Sequence, residues 1–255
     1  MKNEVSPALN DEEFRKLQQE YSQRSERFDV ELLKIPILES GEKLIVLTEL
    51  SEKSTGSIII GDIENTLIRE TLGTAMMYAA EHFNEQGLVL KVESAYRSLD
   101  EQRRRFIKRY QSMEANFPDK TEAELLTLAN TYTAGIPILA AHTAGAAVDV
   151  TLLDKNGQLL DFGVPYNYGD IESITDFPHL SDEVKQNRKI LKNGMEKFGF
   201  VNYPFEYWHY SIGDVCAAHL TGQKYAKFGP VNYNPESNKT SFPKITNAFY
   251  TFFKT

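Results

Sequence analysis

Two short segments of this chain limit the folds open to it more than any other feature. The first segment contains His142 and Asp149, and the second contains Glu206 and His209. A catalytic zinc ion takes three nitrogen or oxygen ligands from the protein and keeps a fourth position for water. The two histidines and Asp149 supply such a set, and Glu206 is then a candidate general base for that water. The sequence therefore predicts a hydrolytic zinc site, for which the fold must bring both segments together.

The chain around the first segment is suited to presenting two ligands close together. Residues 134–144 lack a hydrophobic period, which predicts a loop that delivers His142. Gly145 permits a tight turn, and residues 147–153 then have the composition of a strand that carries Asp149. A histidine or an aspartate alone is more often structural than ligating, so it is the combined pattern that indicates a metal.

The second segment poses a geometric conflict. On an ideal strand over residues 206–212, Glu206 and His209 would face opposite sides of the sheet. Pro204, just before them, indicates a bent entry or a bulge that turns the Glu206 side chain toward the metal. The alternative is that Trp208 packs in the core and Glu206 is a surface acid.

Composition and charge exclude several classes of partner. The chain has 255 residues, of which 41% are hydrophobic and 25% charged, as in ordinary globular proteins. Its net charge of −8 argues against a nucleic-acid partner, which requires a basic surface. Cys216 is the one cysteine, so no intrachain disulfide can form. Residues 1–30 contain no apolar leader, and no apolar run approaches about 18 residues, so we expect a cytoplasmic protein without a membrane partner.

The pattern of apolar residues predicts one α+β domain. Spacing and capping residues predict helices over 11–28, 66–86, 98–113, 121–131 and 181–198, and strands over 31–38, 43–50, 57–61, 88–94, 147–153, 158–162, 200–203 and 206–212. We expect a central, mostly antiparallel sheet flanked by helices, with the zinc site in a cleft on the sheet. Residues 1–60 are predicted to form an N-terminal arm, a helix and the first strands, residues 60–215 the catalytic core, and residues 216–255 an irregular tail packed on the core.

The spacing of the two segments resembles that of a known family. The pattern H-x-x-G-x-A-x-D from residue 142, followed by E-x-x-H from residue 206, resembles the zinc D,D-peptidases of the M15 group. Within that group it is similar to the D-alanyl-D-alanine dipeptidase branch, the VanX-like enzymes. Shorter matches support the resemblance over about residues 60–215; they are Tyr96-Arg97, Thr151-Leu152, Asp161-Phe162-Gly163, Asp176-Phe177-Pro178, Asn187-Arg188 and Gly199-Phe200.

The resemblance implies a role for each residue of the pattern. One Zn²⁺ per chain would be bound by three residues: His142, Asp149 and His209. Glu206 would take a proton from the attacking water and return it to the leaving amine. Arg97 would hydrogen-bond the substrate carbonyl oxygen as it gains negative charge. From its position in the sequence alone, Arg97 could instead cap the following helix or pair with Asp100.

Two departures from the family pattern concern the substrate. Ala140 replaces a serine that the dipeptidases have two residues before the first histidine. Asn167 stands where they have an acid that holds the free amino group of the dipeptide, and Asp170 is the nearest carboxylate. An amide cannot neutralise an ammonium group, so either Asp170 takes over or the substrate lacks a free amine. Tyr168 and Trp208 are further candidate substrate contacts.

The function that this resemblance implies is zinc-dependent hydrolysis of a short D-amino-acid peptide such as D-Ala-D-Ala. The alternative is a D,D-carboxypeptidase or muramyl-peptide hydrolase with a longer or N-blocked substrate, which the loss of the acid at Asn167 favours. A non-catalytic binding relative is a third reading, disfavoured because the metal-site residues are all present. The expected partner is a small peptide, with no nucleic acid and no membrane, and the oligomeric state is open.

Overall fold

The computed structural model describes residues 9–51, 56–63, 65–237 and 239–243. The α-helices are α1 (Asp11–Leu32), α2 (Leu47–Ser51), α3 (Glu70–Glu85), α4 (Leu99–Asn116), α5 (Glu122–Tyr132), α6 (Asp182–Glu196) and α7 (Val215–Leu220). The strands are β1 (Leu44–Val46), β2 (Ile58–Ile60), β3 (Leu67–Arg69), β4 (Val89–Ser94), β5 (Ala147–Leu153), β6 (Val201–Asn202), β7 (His209–Ser211), β8 (Asn232–Asn234) and β9 (Lys239–Ser241). Within these ranges, no helix is long and apolar enough to cross a membrane.

A five-stranded sheet in the order β2-β4-β5-β7-β6 organises the fold. The β2–β4 pair is parallel, and the β4–β5, β5–β7 and β6–β7 pairs are antiparallel. Strand β5 lies in the middle, and all seven of its residues are buried. The predicted α+β class with a mostly antiparallel sheet is therefore confirmed, and the segment that carries Asp149 is its central strand.

Helices α3 and α6 pack against this sheet and against each other. Leu72, Met76 and Phe83 of α3 are fully buried in the cluster that also contains the inward side chains of β5. Gly194 of α6 allows this approach, because a Cβ atom there would lie 2.2 Å from the Phe83 ring. The glycine thus fixes the close contact between the two helices that flank the sheet.

Local sequence signals located most helices correctly. Ser98, Thr121 and Ser181 cap α4, α5 and α6, which agrees with the predicted starts at residues 98, 121 and 181, and Thr121 forms a capping box with Glu124. In a helix cap, a side-chain oxygen accepts a hydrogen bond from one of the first free N–H groups of the helix. A cap involves only residues close together in the sequence, so the sequence alone can indicate it.

The errors occur where contacts between distant segments override the local pattern. The strand predicted over residues 31–38 is wrong, because α1 continues to Leu32 and only Ile37 forms an isolated bridge, with Ala226. The helix expected from residue 66 begins at Glu70, since the preceding residues pair with β1 as strand β3. The strand over 158–162 is reduced to one bridge at Leu159.

The C-terminal part contains more regular structure than the predicted irregular tail. It includes α7 and the β8–β9 hairpin. The Val231 carbonyl accepts a hydrogen bond of 3.0 Å from the Tyr96 hydroxyl, and the Val231 N–H donates to the Thr143 carbonyl at 2.9 Å. Residues 244–255, which belong to the predicted tail, and residues 1–8 of the predicted arm lie outside the described residues.

A buried arginine of α6 holds the long loop that follows β5. The Arg188 side chain is 2% exposed and donates two hydrogen bonds to the Phe162 carbonyl, one to the Glu172 carbonyl and one to the Ile174 carbonyl. Its guanidinium also lies 4.5 Å from the centre of the Tyr207 ring. One side chain therefore fixes the loop to α6 through three carbonyl groups.

Replacing Arg188 with Met tests this role. The substitution keeps a long side chain but leaves three buried carbonyl oxygens without a charged donor, so the free energy of unfolding should fall by about 3 kcal/mol or more. Lys189→Met removes the same charge from an exposed position of α6 and should change it by less than about 0.5 kcal/mol. Urea unfolding followed by circular dichroism measures both, and equal changes would contradict the role of Arg188.

Candidate functional site

The two sequence segments meet at one point of the sheet. The ligand atoms of His142, Asp149 and His209 all lie within 4.8 Å of one another. Asp149 Oδ1 lies 3.2 Å from His142 Nε2 and 2.9 Å from His209 Nδ1. The three side chains are at most 12% exposed. This group of two nitrogens and one oxygen is compact enough to hold a metal ion.

Strand register places two of the three side chains side by side. Asp149 of β5 is paired with His209 of β7 on one side and with Ser94 of β4 on the other. The register of β4 shifts between Val92 and Ser94, an irregularity next to the site. Directly opposed residues of antiparallel strands project to the same face of the sheet, which brings the Asp149 and His209 side chains together.

His142 reaches the same point from a tight turn. Residues Ala141–Ala144 form a 3₁₀ turn that ends at Gly145, whose φ of 63° lies in the left-handed region. A Cβ atom at Gly145 would also lie 2.3 Å from Leu44, so this position requires glycine. The buried Arg69 side chain fixes the turn by donating from Nε to the Ala144 carbonyl at 2.7 Å.

The hydrogen bonds of His142 define which nitrogen is free. Its Nδ1 lies 2.8 Å from the Ala95 carbonyl oxygen, which can only accept, so Nδ1 carries the proton. Burial lowers the pKa of His142, which favours the neutral ring. The Nε2 lone pair then faces Asp149 Oδ1, and two acceptors oppose each other. A shared cation removes that conflict, so the donor set fits a metal ion.

Asp149 is held in its ionised form by its neighbours. Burial by itself would raise the pKa of Asp149, but the adjacent His142 and His209 hold it below its usual range. For His209 burial has the opposite effect and lowers the pKa, yet contact with Asp149 raises the pKa of that imidazole overall. Tyr166 donates a further hydrogen bond to Asp149 Oδ2 at 3.2 Å. The carboxylate is therefore oriented through both of its oxygens.

Glu206 lies in a turn before β7 and not on the strand. Its carbonyl accepts a hydrogen bond from the His209 N–H at 3.2 Å, and its own N–H donates to the Tyr203 carbonyl at 3.1 Å. This turn removes the conflict expected of an ideal strand over 206–212. Glu206 Oε2 accepts a hydrogen bond from Trp208 Nε1 at 3.0 Å and lies 3.9 Å from His209 Nδ1. Burial, with Asp149 adding to it, raises the pKa of Glu206 to about 7.

Arg97 is tied to the same site through backbone and side chain. Its N–H donates to the His142 carbonyl at 3.1 Å, and its guanidinium donates to Gln102 Oε1 at 2.6 Å. Gln102 in turn donates to the Ala134 carbonyl at 2.8 Å and is 2% exposed. Ser98, not Arg97, caps α4. Burial lowers the pKa of Arg97, although a guanidinium remains charged at neutral pH.

These side chains border an open cleft with an empty volume of about 920 Å³, called the first cleft below. Its lining includes Arg97, the three clustered residues, Tyr166, Asn167, Glu206 and Trp208, together with Asp29 of α1. A second cleft, with an empty volume of about 520 Å³, lies between α1 and the loop around Ile171. The two clefts share Thr131, Tyr132, Glu206 and Trp208, so they adjoin at the candidate base.

The structure distributes the four predicted substrate contacts unevenly. Asn167 and Trp208 line the first cleft, and Asn167 has a φ of 62°, unusual outside glycine. Asp170 lines the second cleft, where it accepts hydrogen bonds from the Gln18 side chain at 3.0 and 3.2 Å. Tyr168 is 49% exposed and does not line either cleft. Asp170 is therefore engaged by α1 and does not line the first cleft.

Sequence reasoning did not identify several residues that position the site. Arg69 and Gln102 fix the His142 turn and the Arg97 guanidinium, and Tyr166 contacts Asp149. In each of these contacts, the two residues come together only through the fold of the chain or the conformation of their side chains, so a local sequence pattern does not indicate the contact. A polar residue on the inner face of an amphipathic helix, as Gln102 is on α4, is the one sequence signal that was present.

Comparison with known proteins identifies the family of this chain. A family model described as D-ala-D-ala dipeptidase, of the M15 peptidases, matches residues 50–229. The chain belongs to the M15 peptidase family. The predicted resemblance is thereby confirmed, and the matched range includes Arg97, the three clustered residues and Glu206, whereas α1 precedes it.

Curated relatives of this M15 family member match over shorter stretches. A D-alanyl-D-alanine dipeptidase of Synechocystis sp. is 37% identical over 107 residues, which are 35% of this chain and 43% of that protein. A D-alanyl-D-alanine dipeptidase of Enterococcus faecalis is 32% identical over 102 residues, which are 40% of this chain and 48% of that protein. The matches thus span less than half of the length of each relative.

Solved structures show a weaker likeness. A mutant of the vancomycin resistance D,D-pentapeptidase VanY in complex with Zn(II) aligns with a TM-score of 0.44 and 19% identity, over 77% of this chain and 96% of that chain. VanYB in complex with D-Alanine-D-Alanine aligns with a TM-score of 0.45 and 17% identity, over 76% of this chain and 93% of that chain.

Metal binding by the cluster can be tested with one ligand variant. His142→Ala removes one of three donor atoms, so zinc affinity should fall by about 100-fold or more, as loss of even an outer partner weakens a site by about 10- to 100-fold. His179→Ala, which removes an exposed imidazole far from the cluster in the sequence, should leave it unchanged. Titration against a chromogenic chelator measures both affinities, and equal zinc affinity in the two variants would exclude His142 as a ligand.

Proposed function

We propose that this M15 family member is a zinc-dependent peptidase that hydrolyses short D-amino-acid peptides of the D-Ala-D-Ala type. The observation that carries the proposal is the convergence of His142, Asp149 and His209 beside Glu206 in one cleft. The family match and the names of the relatives support the same chemistry. We also propose that the protein acts in the cytoplasm, as the sequence predicts.

The three clustered residues are the proposed zinc ligands. Their two imidazole nitrogens and one carboxylate oxygen are a donor set that suits zinc, and the opposed acceptors of His142 and Asp149 favour a cation between them. When bound, zinc would supply a Lewis acid that lowers the pKa of a water molecule and polarises a carbonyl group. Ala95 and Tyr166 would orient the ligands by holding His142 Nδ1 and Asp149 Oδ2.

Glu206 is the proposed general base. Trp208 holds Oε2 by a hydrogen bond, and no described residue donates to Oε1, which leaves that oxygen available for a water proton. The carboxylate would accept the proton as water attacks the peptide carbonyl carbon. It would then return the proton to the leaving amine nitrogen, so that one group serves as base and as acid.

Arg97 is the proposed donor to the oxyanion. Its guanidinium borders the same cleft as Glu206 and is held by Gln102, so its direction is fixed before a substrate binds. As water adds to the carbonyl carbon, negative charge develops on the carbonyl oxygen, and a fixed cation stabilises that charge more than it stabilises the neutral substrate. Arg97 would thus stabilise the negative charge on the carbonyl oxygen, while Glu206 would accept the proton of the water that attacks the carbonyl carbon.

A D,D-carboxypeptidase or muramyl-peptide hydrolase acting on a longer or N-blocked peptide is the second candidate. The second cleft favours it, because it continues from Glu206 and Trp208 and would extend the path for a peptide. The neutral Asn167 in the first cleft is also compatible with a blocked amine. A non-catalytic relative is disfavoured, since the proposed ligands, base and oxyanion donor are all present.

The substrate class can be decided by one comparison. Zinc-loaded protein is offered D-Ala-D-Ala, its N-acetyl derivative and L-Ala-L-Ala, and released alanine is measured over time. We expect the highest kcat/KM for D-Ala-D-Ala and no hydrolysis of the L,L control. Preference for the acetylated peptide would support the carboxypeptidase candidate, and hydrolysis of neither D,D substrate would overturn the proposed function.

The proposed base can be tested separately from the metal. Glu206→Gln keeps an oxygen that can accept from Trp208 but cannot take a proton, so kcat should fall by about 10²- to 10⁴-fold with the zinc content unchanged. Glu183→Gln removes the same charge from an exposed position of α6 and should retain full activity. Steady-state kinetics with metal analysis of the same samples gives both values. Full activity of Glu206→Gln would exclude the base role.

A further inference from the structure

Helix α1 presents a mostly polar face to the two clefts. The α1 residues that line them follow the spacing i, i+3, i+4, i+7, i+11 and i+14, which places them on one side of the helix; they are Gln18, Tyr21, Ser22, Ser25, Asp29 and Leu32. Four of the six are polar, in contrast to the apolar stripe by which Phe14, Leu17 and Phe28 of the same helix pack on the hydrophobic clusters. This face is therefore suited to contact a polar ligand, and it lies before the range matched by the family model.

Asp29 is the acidic residue of that face. Four acids of the described chain line the first cleft: Asp29, Asp149, Glu206 and Asp214. Asp149 lies between two histidines, Glu206 accepts from Trp208, and Asp214 caps α7. The Asp29 carboxylate accepts one hydrogen bond, from the Asn130 side chain at 2.7 Å, and no Lys or Arg within the described ranges forms an ion pair with it. Among these four acids, Asp29 is thus the one whose charge has no assigned role in the rest of the site.

The surroundings of Asp29 favour a bound cation. Burial raises the pKa of Asp29 to about 7, with Glu26 adding to the effect and Asn130 opposing it. A carboxylate that burial penalises in this way is stabilised when a positive charge binds beside it. An ammonium group entering the cleft also needs a counter-charge, because its desolvation without one is costly.

We propose that Asp29 binds the positively charged α-amino group of the peptide substrate, so that α1 selects peptides with a free N-terminus. The inference rests on the proposed function. It accounts for the neutral Asn167 in the first cleft, since Asp170 is engaged by Gln18 and lines the second cleft. A free amino group bound at Asp29 favours the dipeptidase over the carboxypeptidase candidate.

The test compares Asp29→Asn with Glu20→Gln, which removes the same charge from an exposed position of α1 further from Asp29. Asparagine keeps the size of the side chain and can still accept a hydrogen bond from Asn130. For each zinc-loaded variant, KM and kcat are measured with D-Ala-D-Ala. N-acetyl-D-Ala-D-Ala is measured as a substrate, or as a competitive inhibitor if it is not cleaved.

We expect Asp29→Asn to raise KM for D-Ala-D-Ala about tenfold or more, with kcat within about threefold, since loss of one partner of a desolvated charge pair weakens binding by at least this much. The constant for the acetylated peptide should not change, and Glu20→Gln should resemble the wild type. Both peptides are measured on one sample, so a lower folded fraction cannot imitate the result.

Two results would overturn the inference. An unchanged KM for D-Ala-D-Ala in Asp29→Asn, or an equal loss of affinity for the free and the acetylated peptide, would show that Asp29 does not bind the amino group while the proposed function stands. Failure of the wild type to hydrolyse either peptide would overturn the proposed function and this inference together.

Discussion

The contact on which this structure most depends is that of the Asp149 carboxylate with two imidazoles. Its Oδ1 atom lies 3.2 Å from His142 and 2.9 Å from His209, and Tyr166 donates to Oδ2. Strand pairing sets this contact, because Asp149 is directly opposite His209 in the β5–β7 pair. A shift of one residue in either strand would turn one of the two side chains to the other face of the sheet. The register of the sheet therefore determines which side chains meet at the site.

The sequence predicted which side chains lie together in the candidate site but not their full geometry. Spacing and residue type identified the three clustered side chains and Glu206, and the family resemblance added Arg97. The structure brings all five to one cleft. The conflict expected at Glu206 arose from extending β7 over residues 206–212, whereas the strand begins at His209 and a turn precedes it. Turns of this kind depend on backbone hydrogen bonds that residue types specify only weakly.

The remaining gaps concern residues that act through distant partners. Arg69 contacts a carbonyl 75 positions away, and Asn130 contacts Asp29 across 101 positions. Periodicity and capping describe interactions between near neighbours, so they predicted where α4, α5 and α6 begin but not these contacts. The same limit produced the error at residues 31–38, where apolar residues with strand character belong to the end of α1 and to loop contacts.

The turn that presents His142 depends on a residue outside the range that the family model matches. Arg69, which holds the Ala144 carbonyl, is fully buried and forms its ion pair with Glu39 at 3.1 Å. Removing one partner of a buried pair leaves an uncompensated charge, a loss of about 3–5 kcal/mol. Glu39 precedes the range 50–229. A fragment cut to that range would thus retain every proposed zinc ligand and yet lose the counter-charge of Arg69, which holds the His142 turn. The part of the chain that the family model matches is therefore smaller than the part that must be present to hold the site together.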